Sequence, residues 1–263
     1  MKKIDVHCHT TKRRLTNTAV KTATIEDIKS KMKKYDIDKT VLMATYFPST
    51  SSGVSNFRLY DWIRNQPDFS MFGSLDFSHY FNQGMSELRE MCSRHAISGV
   101  KIYLGYQKID TESKKFSDVV SLAKENNIPL AFHTGYTRFK HMSPNPEILE
   151  KSVKENNDVD FILCHLSRPF GKELAEMVNK YDNVFSDTSG LMESTNKKEI
   201  PFCTRMVERF LRKCGPDKLL FGTDFPVQTH EDTIKILERA MRGYEDRDRQ
   251  KVYYGNAKEI LRL

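Results

Sequence analysis

The sequence predicts a single-domain α/β protein, a (β/α)8 TIM barrel covering residues 1–263. Three observations predict it. Eight short apolar, β-rich runs alternate with segments of helical periodicity, the pattern of parallel strands joined by crossover helices. Polar residues able to carry chemistry fall at the ends of those runs, which a barrel gathers around one mouth. The first turn, His9-Thr10-Thr11-Lys12, has no glycine, whereas the competing doubly wound open sheet usually opens on a glycine-rich turn.

The predicted strands are residues 3–7, 40–46, 70–76, 99–104, 129–133, 161–165, 184–187 and 219–223. After the first, Ile25, Ile28, Met32 and Tyr35 form a helical stripe, opened by Thr24 and Asp27 as a capping pair. Leu88, Met91 and Cys92 mark the helix after the third strand. Phe116, Val119, Val120 and Ala123 mark the next, and Ile148, Leu149 and Val153 the one after it. Later stripes are Phe170, Leu174, Met177, Val178 and Tyr181, then Cys203, Met206, Val207, Phe210 and Leu211, then Ile234, Leu237, Ala240 and Met241. Segments 47–53, 143–146 and 214–216 read as loops from their Pro, Gly and Ser content. No internal repeat or long linker interrupts this order.

Composition removes several classes. With 38% hydrophobic and 29% charged residues the chain suits a globular domain. No apolar run approaches the roughly 18 residues of a membrane span. No apolar stretch follows Met1, so no signal peptide is expected. Cys8, Cys92, Cys164, Cys203 and Cys214 are odd in number and widely spaced, which fits reduced thiols and a cytoplasmic location. Cys8 and Cys164 read as small core residues pointing away from the neighbouring histidines. The net charge of +7 is spread over helical segments without interleaved aromatics, so no nucleic-acid partner is expected. The expected partner is a small-molecule substrate; homo-oligomerisation is compatible with the sequence.

The chemistry begins with His7 and His9. Two residues apart on a strand, they share a side and can converge on one metal ion. Lys101 lies in the fourth run, His133 ends the fifth, His165 ends the sixth and Asp224 follows the eighth. Such a ring of imidazoles and a carboxylate at matching strand ends reads as a metal or catalytic site. Tyr103, Tyr136, Arg138 and Arg168 follow the fourth to sixth runs. The stretch Asp187-Thr188-Ser189-Gly190 follows the seventh, with Ser189 a candidate substrate contact. A guanidinium at 168 would favour a carboxylate or phosphate on the substrate. His79, His95, His141 and His230 read as non-ligands.

The order His-X-His, His, His, Asp resembles the metal site of the amidohydrolase superfamily. Phe221-Gly222-Thr223-Asp224-Phe225-Pro226 and the tail Tyr254-Gly255-Asn256-Ala257-Lys258-Glu259-Ile260-Leu261 resemble its amidohydrolase-related branch, which includes aminocarboxymuconate-semialdehyde decarboxylase. The resemblance implies that His7, His9, His133 and Asp224 hold a divalent metal, zinc by preference. It implies that His165 acts as a base or orienting group and that Asp224 also moves a proton. Lys101 would bridge a second ion if carboxylated; otherwise it would bind an anionic substrate or pair with a carboxylate.

Two activities follow from the resemblance. One is hydrolysis of an amide, ester or lactone-type bond by metal-activated water, which the short chain favours. The other is non-oxidative decarboxylation at the same site. Asp5-Val6-His7-Cys8-His9-Thr10 also resembles the opening of PHP-type phosphoesterases, but the further histidine and acidic clusters of that group are not found. A barrel that binds without catalysing should lack a ligand, and every expected ligand is present.

Overall fold

The structure, a computed structural model, describes residues 1–16, 18, 20–45, 53–137, 143–192 and 196–263. Its strands are β1 (Lys3–Cys8), β2 (Ile37–Met43), β3 (Phe69–Gly73), β4 (Gly99–Ile102), β5 (Leu130–Phe132), β6 (Phe161–Leu163), β7 (Val184–Asp187) and β8 (Leu219–Leu220). They pair in sequence order, each parallel to the next. Closure comes from β1 against β8 and the residues beyond it. Val6 N–H donates to the Phe221 carbonyl (3.0 Å), Asp224 N–H to the His7 carbonyl (2.8 Å) and His9 N–H to the Phe225 carbonyl (2.7 Å). The expected (β/α)8 barrel is therefore the observed one.

Helices α1 (Ile25–Tyr35), α2 (Asn56–Ile63), α3 (Phe81–Ser93), α4 (Lys114–Glu125), α5 (Glu150–Glu155), α6 (Gly171–Lys180) and α7 (Ile200–Cys214) connect the strands; α8 (His230–Ala240), α9 (Asp246–Gln250) and α10 (Asn256–Ile260) follow β8. Thr24 and Asp27 form the reciprocal capping box expected at the start of α1. The sequence reading has no counterpart for α2. Its apolar buried side is only Leu59 and Ile63, and its other buried residue is polar. That residue, Asn56, exchanges two 2.9 Å bonds with the backbone of Ser74 beyond β3, a tertiary contact that periodicity does not register. Tyr46 and most of the 47–53 loop lie outside the described residues.

The barrel interior is apolar at its floor. Ile4, Val41, Phe72, Ala131, Ile162 and Leu220 pack there, and Ala257, Ile260 and Leu261 close it from below. The Phe72 ring occupies the space beside Gly99, where a Cβ would come within 2.5 Å of it. Asn256 accounts for part of the tail motif: its amide donates to the carbonyls of Pro216 and Leu219, both at 2.8 Å, and docks the tail onto β8. A larger apolar layer lies between strands and helices. All five cysteines are free thiols. Among the described residues no helix is long and apolar enough to cross a membrane.

Candidate metal centre

A slip in β1 brings His7 to the mouth. Ile4 and Val6 belong to the inner cluster and Cys8 to the helix-side layer, and the register against β2 shifts between Asp5 and Cys8. Such irregularities re-aim side chains. Buried Asp5 supports this one: its carboxylate accepts from His7 N–H (3.1 Å), Thr223 N–H (3.0 Å) and the Thr223 hydroxyl (2.6 Å). The first motif and the Gly-Thr-Asp stretch are thus tied together through Asp5 and Thr223, two residues before His7 and one before Asp224.

His7 Nδ1 lies 2.8 Å from Asp187 Oδ2. A carboxylate only accepts, so the hydrogen sits on Nδ1 and Nε2 carries a lone pair. That Nε2 is 3.8 Å from Asp224 Oδ1, and His9 Nε2 is 3.2 Å from the same oxygen. The three donor atoms lie within 4.8 Å of one another. Asp224 has a left-handed backbone, φ 58°. Gly190 opposite it has φ 56°, and a Cβ there would meet Asp224 Oδ2 at 2.6 Å and His165 Nδ1 at 3.0 Å. Both the conformation and the space at 190 require glycine.

His133 and His165 make a second pair. His133 Nε2 is 2.8 Å from the Tyr136 carbonyl, and His165 Nδ1 is 3.0 Å from the Ser189 carbonyl. Carbonyl oxygens only accept, so those two nitrogens carry the hydrogens. The remaining two, His133 Nδ1 and His165 Nε2, face each other 2.9 Å apart, both with lone pairs. Two lone pairs repel at that distance, and a cation relieves them. Metal-ligating histidines commonly donate their other N–H to a carbonyl or carboxylate, as His7 and His133 do here. The donor set of imidazole nitrogens and one carboxylate fits a borderline divalent ion such as zinc. His133 is not among the donors grouped within 4.8 Å of Asp224; its nearest ring partner is His165.

Asp187 is the group that sequence reading undervalued. It is fully buried and accepts from His7, from His165 N–H (2.9 Å), from Ser189 N–H (3.1 Å) and from the Ser189 hydroxyl. The signal was its place: it ends the seventh run as the histidines end the fifth and sixth. Ser189 Oγ donates to Asp187 and lies 2.9 Å from the Nδ1 atoms of both His7 and His165, so it orients the cluster.

Lys101 points into the barrel, fully buried, and its amine donates to Cys164 Sγ at 3.0 Å. Cys164 departs from the expected orientation. It belongs to the inner cluster rather than the helix-side layer, and its sulfur groups with His7 and His165. Alternation along β6 sets this: Cys164 follows Ile162 onto the inner side, and left-handed backbone at residues 165–167 (φ 65°, 48° and 48°) then breaks the alternation and turns His165 inward as well. The Tyr103 hydroxyl donates to the Ala44 carbonyl. His79 is exposed beside Asp76, and His230 is buried against Asp5, 3.3 Å from its Oδ2. Arg138 and His141 lie outside the described residues.

Burial sets the protonation of the cluster. It lowers His7 and His133, with Lys101 adding to both and His165 to His133. His165 is pushed down to about 4, by burial first and then by His7. Burial alone would raise Asp187 and Asp224. The His7 charge and hydrogen bond outweigh it at Asp187, and the His9 hydrogen bond with the His7 charge outweighs it at Asp224; both stay well below the ordinary carboxylate range.

Two cavities flank the mouth. One, about 900 Å3, opens over His9 and is lined by Lys12, Arg13, Arg14, Arg58 and Trp62. The other, about 720 Å3, lies between α6 and α7 and includes Tyr136 and Arg168. Arg168 donates to the Leu191 carbonyl (2.6 Å), lies 3.6 Å from Glu199 and stacks over Tyr136 and Phe202. It therefore does not line the His9 cavity.

The amidohydrolase family model matches residues 4–263. The chain belongs to the amidohydrolase family. It is accordingly an enzyme of a metal-dependent class. Comparison with curated protein sequences yields no match. Three solved structures share the fold. An amidohydrolase from Burkholderia multivorans with bound zinc has a TM-score of 0.76 at 14% identity, covering 100% of both chains. A probable 2-pyrone-4,6-dicarboxylic acid hydrolase from Acinetobacter baumannii with bound citric acid has 0.72 at 18%, also covering 100% of both. A dihydroxybenzoic acid decarboxylase from a Polaromonas species, with manganese and 2-nitroresorcinol, has 0.73 at 13%, covering 100% of this chain and 97% of the other.

Proposed function

We propose that this amidohydrolase hydrolyses a small anionic substrate with a zinc ion held by His7, His9, Asp224 and His133. The observation that carries the reading is the junction of a donor cluster with a cationic cavity: His9 belongs to both. When bound, the ion supplies Lewis acidity and acidifies water. The chain supplies the rest. Asp187 and the Tyr136 carbonyl hold the hydrogens of His7 and His133 on the nitrogens that face away from the cluster. Lys12, Arg13, Arg14 and Arg58 attract and orient the substrate's carboxylates, with Lys12 over the Trp62 ring at 4.8 Å.

His165 favours hydrolysis over decarboxylation. Its Nδ1–H is committed to the Ser189 carbonyl, so Nε2 presents a lone pair to the cluster, able to accept a proton from an attacking water once the His133 lone pair that faces it at 2.9 Å is drawn off by the ion. Decarboxylation would instead require a proton donor aimed at carbon. Lys101, with its amine on the Cys164 thiol, sits beneath the cluster and adds positive charge there.

The test is metal analysis followed by a screen of lactones, amides and aromatic mono- and dicarboxylates with CO2 detection. Protein with about one equivalent of zinc that opens a lactone or amide without releasing CO2 meets the proposal. Protein that stays inactive after zinc is restored, or that releases CO2 from an aromatic acid, would falsify the hydrolase reading.

A further inference from the structure

We propose that the cavity between α6 and α7 is a second ligand site, which takes an organic phosphate of nucleotide size. Arg168, Lys172, Arg205, Arg209, Arg212 and Lys213 line it, and no carboxylate does. Positions 205, 209 and 212 recur at helical spacing, so α7 presents them along one face. Among the described residues Arg205, Arg209, Arg212 and Lys213 have no ion-pair partner within 4.0 Å. Like charges stacked at this spacing destabilise a helix unless a counter-charge sits among them. Guanidinium groups, planar and carrying five donors, suit phosphate oxygens bidentately.

The cavity also has an apolar side. Leu166, Leu174, Met206 and Phe210 line it beneath the cations, and Phe202 and Tyr136 lie at its edge with the Arg168 guanidinium over both rings. A volume of about 720 Å3 suits a ligand with an aromatic body as well as phosphates. A merely solvated basic face needs neither concavity nor an apolar floor. The site is distinct from the substrate cavity, with which it shares no lining residue. It meets the metal centre at the turn after β6, where His165 faces the cluster and Leu166 and Arg168 face the groove, and at Tyr136, which lines the groove and whose carbonyl accepts from His133.

The experiment is calorimetric titration of metal-loaded protein with ATP, with metal content measured before and after. Saturable binding is expected. Arg205→Glu/Arg209→Glu should weaken it roughly tenfold or more, and His9→Ala should leave it unchanged. Both arginines are exposed, so circular dichroism should show a folded protein; Arg209→Gln is the milder second variant and should weaken binding in the same direction. Equal affinity in the reversed variants, or loss of binding in His9→Ala, overturns the proposal. So does inorganic triphosphate binding as tightly as ATP, because the apolar floor would then contribute nothing. Sedimentation with phosphatidylglycerol vesicles in the absence of ATP binding would assign the face to a membrane surface and overturn it as well.

Discussion

The two ends of the barrel interior are built from the same strands with opposite chemistry. At the floor, Ile4, Phe72, Ile162 and Leu220 pack without a polar atom to satisfy. At the mouth, His7, Lys101, His133, His165, Asp187 and Asp224 are all buried. Burying such groups is costly unless each finds a partner, and left-handed backbone at non-glycine positions costs roughly 1–3 kcal/mol apiece. Four such positions, His165, Leu166, Ser167 and Asp224, cluster at the mouth. The floor stabilises the barrel, and the mouth draws on that stability to hold unfavourable groups in register. Stability and chemistry should therefore be separable by mutation.

The largest effect is expected at the mouth. Asp224→Ala should lower kcat/KM by about a thousandfold or more, because it removes a donor at the centre of the charge arrangement. It should also deplete the metal while leaving the melting temperature unchanged or raised. A variant that keeps metal and turnover would remove Asp224 from the centre. At the floor, Phe72→Ala should cost about 3–5 kcal/mol of stability in urea unfolding, with metal stoichiometry unchanged at temperatures where it remains folded. If metal is lost from the folded variant, the two ends are not separable.

A smaller effect separates the cluster from its support. Asp187→Asn should lower metal affinity roughly ten- to a hundredfold, since the amide can turn its NH2 toward His7 and shift the hydrogen to Nε2. Competition with a chelator of known affinity reads this directly, and unchanged affinity would make Asp187 purely structural.

The smallest is a pH effect on the metal-free protein. Folded His165 stays neutral down to about pH 4, whereas its ordinary value is 6.5. Below 6.5 the unfolded chain binds the extra proton, so stability present above 6.5 is lost as the pH falls toward 4. His165→Gln should flatten that part of the melting-temperature profile; an unchanged slope would place the titration on the other histidines.

Much of the site is visible in one dimension. His7, His9, His133, His165 and Asp224 end or follow apolar runs, and strand ends converge in any barrel with eight parallel strands. Other parts are not. Helix α2 escaped notice because its first residue is held by Ser74 rather than by periodicity, and Arg58 was missed with it. Arg168 reads as a substrate contact from its place after His165, yet its guanidinium turns toward Leu191 and Phe202. Loop and helix side chains are aimed by contacts far away in sequence.

From sequence alone came the barrel, its strand order and the ring of donors, because alternation and strand ends are local properties of the chain. Tertiary structure alone decided which nitrogen each histidine offers, since that depends on acceptors distant in sequence. For His7 the acceptor, Asp187, is 180 residues away. It also decided that His165 turns inward beside Cys164, where left-handed backbone after β6 overrides the alternation that a strand would impose.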